Sequence, residues 1–421
     1  MRPRRALLVG FHFPPLAGSS GIQRMLRFAQ QLPQYGWQPL VLTAHPMAYE
    51  RTSTDLLADV PSGTVVQRAW ALDTARQLSL GGRYISALAR PDRWMTWRFD
   101  AVRMGMRMIR QHRPEVIWST YPIATAHVIG AELQRRSGLP WIADFRDPMA
   151  QEGYPRDPQT WQAYVDIERR AFAQAACALF TTPGAATQYR IRYPDAASRI
   201  GVLENGYDED SFIQAEAALP QRQSLVSGRF TLLHSGIVYP SERDPTALFQ
   251  ALAALRAAGN LPLGVLNLRF RAPVHGALLL DLAHRHGLQD VVEVLPPVDY
   301  RSALAEMLQA DALLVMQAAN CNAQIPAKLY EYLRAGRPVV ALADPQGDTA
   351  AVLRQAGVTA IAALEDAPAI APLLAGVLHH PEAGTRPGAE AVRLASRMQR
   401  TAELARHLAR VAGPATAQDT A

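Results

Sequence analysis

Short apolar runs bounded by glycine, proline or polar residues alternate along the chain with longer stretches in which apolar residues recur every three or four positions. The short runs read as buried strands and the longer stretches as crossover helices, a pattern that predicts an α/β protein with parallel sheets. In the first half the predicted strands are Ala6–Gly10, Pro39–Thr43, Thr64–Gln67, Val116–Ser119, Trp141–Asp144, Ala178–Thr181 and Ile200–Leu203. A helix is predicted over Gly21–Leu32, with Ile22, Met25, Leu26, Ala29 and Leu32 on its apolar face and Gln23, Arg24, Arg27 and Gln30 on the other. The text from Ser211 to Gly228 carries no strand signal and is the linker candidate. A second series then opens afresh: Phe230–Ser235, Val265–Phe270, Val291–Val294, Ala312–Met316, Pro338–Leu342 and a weaker Thr359–Ala362.

Two similar domains follow from this alternation, over 1–218 and 219–383. The stretch 384–412 has apolar residues at Val392, Leu394, Ala395, Met398, Leu404 and Leu408 and reads as an amphipathic helix; it ends at Gly413-Pro414, and 413–421 is expected to be a disordered tail.

Composition narrows this only a little. The chain has 421 residues, 49% of them apolar and 19% charged, enough to bury real cores and too apolar for disorder. Two cysteines, Cys177 and Cys321, make neither a disulfide framework nor a metal set. The opening resembles a secretory leader, but its apolar run from Ala6 to Phe11 is short and interrupted by His12, Pro14 and Pro15. No window reaches the ~18 apolar residues that span a bilayer, so a chain not integral to a membrane is expected. The net charge of +6 and pI near 9.5 suit an anionic partner, though a genome that uses arginine freely gives the same balance.

The candidate chemistry sits where predicted strands end. In IPAKLYEYLRAGRP (325–338), Pro326 suits the first turn of a helix and Gly336 its C-terminal cap. Lys328 and Glu331 share one face, while Leu329 and Leu333 point inward. A carboxylate there can take both hydroxyls of a ribose, and a lysine beside helix amides can hold phosphate; an ordinary surface ion pair has the same spacing. Gly18 and Gly21 let backbone amides approach an anion at a helix start, or simply make a tight turn. His127 lies on an Ala/Ile-rich helix, as a ligand contact or as a packed core histidine. Asp144 and Asp147 flank Arg146 in ADFRDP (143–148), as site acids or as local turn and ion-pair chemistry. Gly236 would let the chain pass close to a diphosphate, with Arg243 the nearest basic residue. Asp208-Glu209-Asp210 has the form of a D-x-D metal motif, but it follows an Asn-Gly turn and reads as turn chemistry. The basic, aromatic stretch 90–114, with Trp94, Trp97 and Phe99, fits either a core helix with a solvated face or contact with an anionic membrane.

These segments together resemble the GT-B glycosyltransferases, specifically the large retaining group called family 4. FHFPPLAGSSGIQR (11–24), TYPIATAHVIG (120–130), ADFRDP, ENGYDEDSF (204–212), LHSGIVYPSERDP (233–245) and IPAKLYEYLRAGRPVVAL (325–342) carry the resemblance. It implies two Rossmann-like domains facing across a cleft and a C-terminal helix that crosses back. It further implies a retaining, metal-independent transfer of sugar from a nucleoside-diphosphate sugar to a glycan or lipid-linked acceptor. Such an enzyme would work at the cytoplasmic face, in surface polysaccharide or lipopolysaccharide assembly. By the same resemblance Glu331 holds ribose and Lys328 and Arg243 offset the pyrophosphate, with Gly236 and Leu329 beside them. The loop of Gly18 and Gly21 admits substrates, His127 contacts the sugar, and Asp144 or Asp147 orients the acceptor hydroxyl. No cofactor and no nucleic acid is implied. Many members carry a second glutamate eight residues before Glu331; here that position is Ala323, with Asn320, Asn322 and Gln324 nearby. A non-catalytic binding protein and a nucleotide-sugar epimerase remain alternatives on the same fold.

Overall fold

The structure is a computed structural model that describes residues 3–19, 21–81, 83–219, 221, 223–380 and 386–414. The chain forms two compact units, Met1–Asn205 with Arg397–Ala421, and Gly206–Ser396. The first holds β1 (Arg4–Val9), β2 (Trp37–Ala44), β3 (Val65–Ala69), β4 (Val116–Thr120), β5 (Trp141–Arg146), β6 (Cys177–Phe180) and β7 (Ile200–Val202). The second holds β8 (Phe230–Ser235), β9 (Leu266–Arg271), β10 (Val292–Leu295), β11 (Ala312–Gln317), β12 (Val339–Ala343) and β13 (Ile361–Ala362). Strand orders are β3-β2-β1-β4-β5-β6-β7 and β10-β9-β8-β11-β12-β13. All the strand pairings are parallel. Each sheet thus reverses direction once, between β1 and β4 and between β8 and β11, which are the points where open α/β sheets bind ligands.

Every predicted strand is present, with ends shifted by one or two residues. The reason is the two-sided burial of a parallel sheet, which turns central strands into continuous apolar runs. In the second unit Leu232, Leu314, Met316, Val340 and Leu342 pack into one layer. Their neighbours Leu233, Leu313, Val315, Val339 and Ala341 pack into the other.

Two expectations need correction. The linker stretch contains a helix, Glu209–Ala217, capped by Asp208, whose carboxylate accepts from the Ser211 amide. Phe212 and Ala215 pack with Leu304 and Met307, and Arg334 binds both Glu209 and Glu216, so this helix belongs to the second unit and the division falls at Asn205/Gly206, not 218/219. Asp208 is therefore a helix cap, as the turn reading had it. The C-terminal helix is two helices, Ala389–Leu394 in the second unit and Arg397–Ala412 in the first, where Leu404, Ala405 and Leu408 join Met25, Phe28 and Ala29. Residues 383–384 and the tail 415–421 lie outside the described residues.

Helix Gly21–Gln31 turns its polar side inward as well: Gln23, Arg24 and Arg27 are all buried. Arg24 reaches across the unit to Asp144 at the end of β5 with two bonds of 2.8 Å, from Nε and Nη2. Its remaining N–H groups donate to the carbonyls of Leu203 and Glu204 and to Asn205 Oδ1. All five guanidinium donors are used, which is the condition under which a buried ion pair is tolerated. Thr120 donates to the same carboxylate.

A second buried polar group lies in this unit. Trp141 Nε1 donates to Ser119 Oγ at 2.8 Å, and Ser119 Oγ stands 2.8 Å from His127 Nδ1. His127 is inaccessible to solvent, packs on Phe145 and has no partner at Nε2. Burial pushes its pKa down to about 4.

Two outcomes follow. Arg24→Ala leaves Asp144 charged and unpaired in the interior, and should destabilise the first unit by about 3–5 kcal/mol in urea titrations, whereas exchanging the pair for Met and Leu should restore much of the loss. For His127 the unfolded chain, titrating near 6.5, binds a proton that the folded chain refuses. Its contribution is therefore full above about pH 6.5 and is lost as pH falls toward 4, by roughly 3 kcal/mol. His127→Gln should flatten the stability profile in that window, and an unchanged slope would contradict the assignment.

Candidate functional site

In the second unit, β8 ends at Ser235-Gly236 and β11 leads through a short turn into helix Lys328–Ala335. The two ends adjoin, so residues 94 apart in sequence meet: Lys328 Nζ lies 2.9 Å from His234 Nε2. His234 is buried, and its Nδ1 stands 3.0 Å from the Leu314 carbonyl. A carbonyl only accepts, so Nδ1 carries the proton and Nε2 offers its lone pair to the ammonium. Burial, reinforced by Lys328, holds His234 neutral, well below the ordinary histidine range. Burial also pulls Lys328 well below the ordinary lysine value; Arg243 adds to this and Glu331 opposes it.

Gly236 has φ +112°, and a Cβ there would stand 3.2 Å from Lys328 Nζ. The positive φ and the tight approach to the ammonium together favour glycine here. Arg243 closes the other side, with Nη1 donating to the Ile237 carbonyl at 3.1 Å, its guanidinium on Tyr239, and Nε buried without a partner. Two half-buried cations thus converge on one backbone turn, an arrangement that a bound anion would stabilise. Glu331 is half-buried one turn along the helix and accepts from the Tyr300 hydroxyl at 2.8 Å. The Tyr332 hydroxyl accepts the Ser235 amide at 2.9 Å and fixes the helix to the end of β8.

Leu329 does not belong to the binding surface. It is fully buried among Leu233, Leu313 and Val339, and its amide donates to the Pro326 carbonyl, so it anchors the helix instead. The helix begins at Lys328, two residues after Pro326. Around Ala323, Asn322 Nδ2 is bound to Asp344 and Asn320 Nδ2 donates to the Ser241 carbonyl, so both side-chain amides are engaged within the chain.

In the first unit the ends of β1, β4 and β5 gather a different set. The loop after β1 carries His12, Gly18 (φ +79°) and Ser19, whose Oγ accepts the Gly21 amide at 3.2 Å and lies 3.1 Å from His12 Nδ1. A Cβ on Gly21 would come within 2.5 Å of His12 Nδ1 and 3.0 Å of Arg146 Nη1. Arg146, at φ +62°, donates to the Tyr121 carbonyl, and its Nε is buried without a partner. Burial and then Arg146 push His12 down to about 3, so it is a neutral imidazole at neutral pH.

Of the two predicted acids, Asp144 is withdrawn into its pair with Arg24 and offers nothing to a substrate. Asp147 is half-buried beside Arg146, and burial holds its carboxyl above the ordinary range. His127 lies in the core, where a sugar does not reach it in this structure. His234 and Tyr300 escaped the sequence reading because their partners are distant in the chain, and His12 because it stood out only as a break in an apolar run. One signal was available: Lys328 is the only lysine in 421 residues, among 43 basic residues in all.

Residues 20–206 match the family described as glycosyl transferase 4-like domain. No curated protein matches the chain in sequence. Among solved structures, sucrose-phosphate synthase from Thermosynechococcus elongatus aligns over 96% of this chain and 98% of its own, at 15% identity and TM-score 0.65. HepE from Anabaena, solved in complex with UDP, aligns over 96% and 99%, at 15% identity and TM-score 0.67. The α,α-trehalose 6-phosphate synthase of Burkholderia multivorans aligns over 100% and 99%, at 14% identity and TM-score 0.66. Residues 20–206 thus resemble a glycosyl transferase 4-like domain, and the chain as a whole has the GT-B fold, with two Rossmann-like parallel-sheet domains.

Proposed function

We propose that this protein is a retaining glycosyltransferase whose second unit binds a nucleoside-diphosphate sugar and whose first unit receives a glycan or lipid-linked acceptor. The observation that carries this reading is the meeting of Lys328 and Arg243 on the bare turn at Gly236, one helical turn from Glu331. Two cations suit a diphosphate, and a carboxylate at that distance suits the ribose hydroxyls. HepE of the same fold has been solved with UDP and with UDP-glucose, which supports a donor of this class. In the transfer, the bond between the anomeric carbon and the diphosphate breaks, and the electron pair leaves with the diphosphate. Lys328 and Arg243 offset that charge, a task that needs no metal ion in this reading. The acceptor oxygen bonds to the anomeric carbon and gives its proton to an oxygen of the departing diphosphate. In the first unit, Asp147 beside Arg146 is the acid placed to orient an acceptor hydroxyl. The reading places the enzyme on the cytoplasmic side of surface-glycan assembly.

One observation favours a second reading, binding without transfer: Ala323 offers no carboxylate, and the amides of Asn320 and Asn322 are engaged elsewhere. The epimerase reading loses ground, because Asp144 is no longer available as the partner acid to Asp147.

A panel of UDP-, GDP- and ADP-sugars, followed by thermal stabilisation and nucleotide release, separates these. Transfer predicts that one donor raises the melting temperature and is consumed in the presence of acceptor; stabilisation without consumption supports the binding protein, and no response to any donor rejects both. Glu331→Ala should weaken the stabilising donor at least about tenfold, or 1.4 kcal/mol. Lys328→Arg should lose binding almost as fully as Lys328→Met, since a planar guanidinium does not reproduce the compact ammonium that His234 Nε2 meets at 2.9 Å. Retained affinity in the arginine variant would show that charge alone suffices.

A further inference from the structure

The aromatic face suggested by stretch 90–114 does not exist as such. Helix Trp97–His112 buries Trp97, Ala101, Gly105 and Met108, and Trp94 donates its indole N–H to the Ala48 carbonyl. Phe99 alone of the three aromatics is exposed, at 64%. The exposed apolar residues come instead from the segment before it. Leu80 is 90% exposed and Ile85 68%, with Leu78, Tyr84 and Leu88 also on the surface. Trp70, at the end of β3, is exposed and stacked on His45.

These residues sit on one tied assembly. Leu80 and Arg83 exchange both backbone hydrogen bonds in a tight hairpin. Thr74 bonds the carbonyl of Leu88 through its hydroxyl and that of Arg93 through its amide. The Leu72 amide donates to Thr96, and the Trp70 amide to Asp100, which brings in the first turn of helix Trp97–His112. The apolar tips are therefore held out by a fixed base, with no core to enter. Exposed apolar side chains gathered in this way mark an interaction surface.

Charge identifies the occupant. Between Asp73 and Asp92 there is no acidic residue, and there are three arginines, Arg76, Arg83 and Arg90, of which Arg90 is paired with Asp157. The acids at the margins are already engaged: Asp73 with Arg93, Asp92 with the Thr125 amide and hydroxyl, and Asp100 with Arg103. Arg76 spends its guanidinium on the carbonyls of Tyr49 and Met47, which leaves its charge unneutralised. A second copy of this chain docked face to face would set arginine against arginine. An anionic lipid surface meets both demands, since leucine, isoleucine and phenylalanine tips enter the acyl boundary while arginines meet phosphate headgroups.

We propose that the exposed side chains of residues 78–81 and 83–88, with Phe99, form a docking surface for an anionic membrane. The proposal does not depend on the donor reading, and no helix of the described residues is long and apolar enough to cross a bilayer. The test is co-sedimentation of the full chain with phosphatidylglycerol/phosphatidylcholine vesicles and with phosphatidylcholine alone, at low and high salt. Binding to the anionic vesicles that weakens with salt is expected. Leu80→Ser combined with Ile85→Ser should lower the bound fraction at least about tenfold, and Arg83→Glu should lower both binding and its salt dependence. Thermal melting checks that each variant folds, and Phe99→Ser, on a separate element, gives the same reading if the double variant does not. Affinity for the stabilising nucleotide sugar should be unchanged in these variants, so a failure here is distinct from a failure at Lys328. No binding to anionic vesicles overturns the proposal, as do variants that bind like the parent. Self-association that the Leu80/Ile85 change abolishes, without vesicle binding, overturns it in favour of a second copy.

Discussion

The first unit depends on one contact, the buried pair of Arg24 and Asp144. An ion pair in the interior costs desolvation on both partners and is tolerated only when the remaining donors and lone pairs are satisfied. Here the guanidinium also closes on Leu203, Glu204 and Asn205. It therefore joins three stretches far apart in sequence: the helix after β1, the end of β5 and the chain's exit from the unit. Gly21, one helical turn from Arg24, is thereby brought against His12 and Arg146. What looks like structural chemistry thus sets the geometry at the sheet's switch point. The exit segment is held from a second side, by Arg400 of the last helix on Glu204.

The second unit solves a related problem with the opposite sign of economy. Lys328 and Arg243 have the Glu331 carboxylate near the ammonium, and the closest partner of Lys328 is a neutral imidazole. His234 is kept neutral by its surroundings and fixed by the Leu314 carbonyl, so it points the ammonium without neutralising it. A carboxylate in that position would satisfy the cation and remove its attraction for phosphate. The contrast with Arg24, whose charge is wholly satisfied, separates a cation that builds the fold from one that awaits a ligand.

These differences explain what could be read in the sequence. Strands were legible because burial on both faces makes them uninterrupted apolar runs, and helix Lys328–Ala335 because its Leu and Gly positions follow local rules. The burial of the polar side of helix Gly21–Gln31 was not legible, because nothing local distinguishes an arginine in water from one whose acid lies 120 residues away. Asp144 and Asp147 looked equivalent for the same reason. The helix Glu209–Ala217 escaped notice because its apolar residues are few and its stability comes from Arg334 and the packing of Phe212. Glu331 and Lys328 were found, but not Tyr300 and His234, which only the folding of the sheet brings to them.

The solitary lysine has a practical meaning of its own. In a chain that carries its positive charge on arginine everywhere else, Lys328 provides the only side-chain amine. Apart from the amino terminus, any reagent that acylates or reductively alkylates amines addresses this one position. The protein thus comes with a reporter already installed beside Gly236, and chemical shifts of a ¹³C-methylated amine would follow occupancy of that turn without any engineered label.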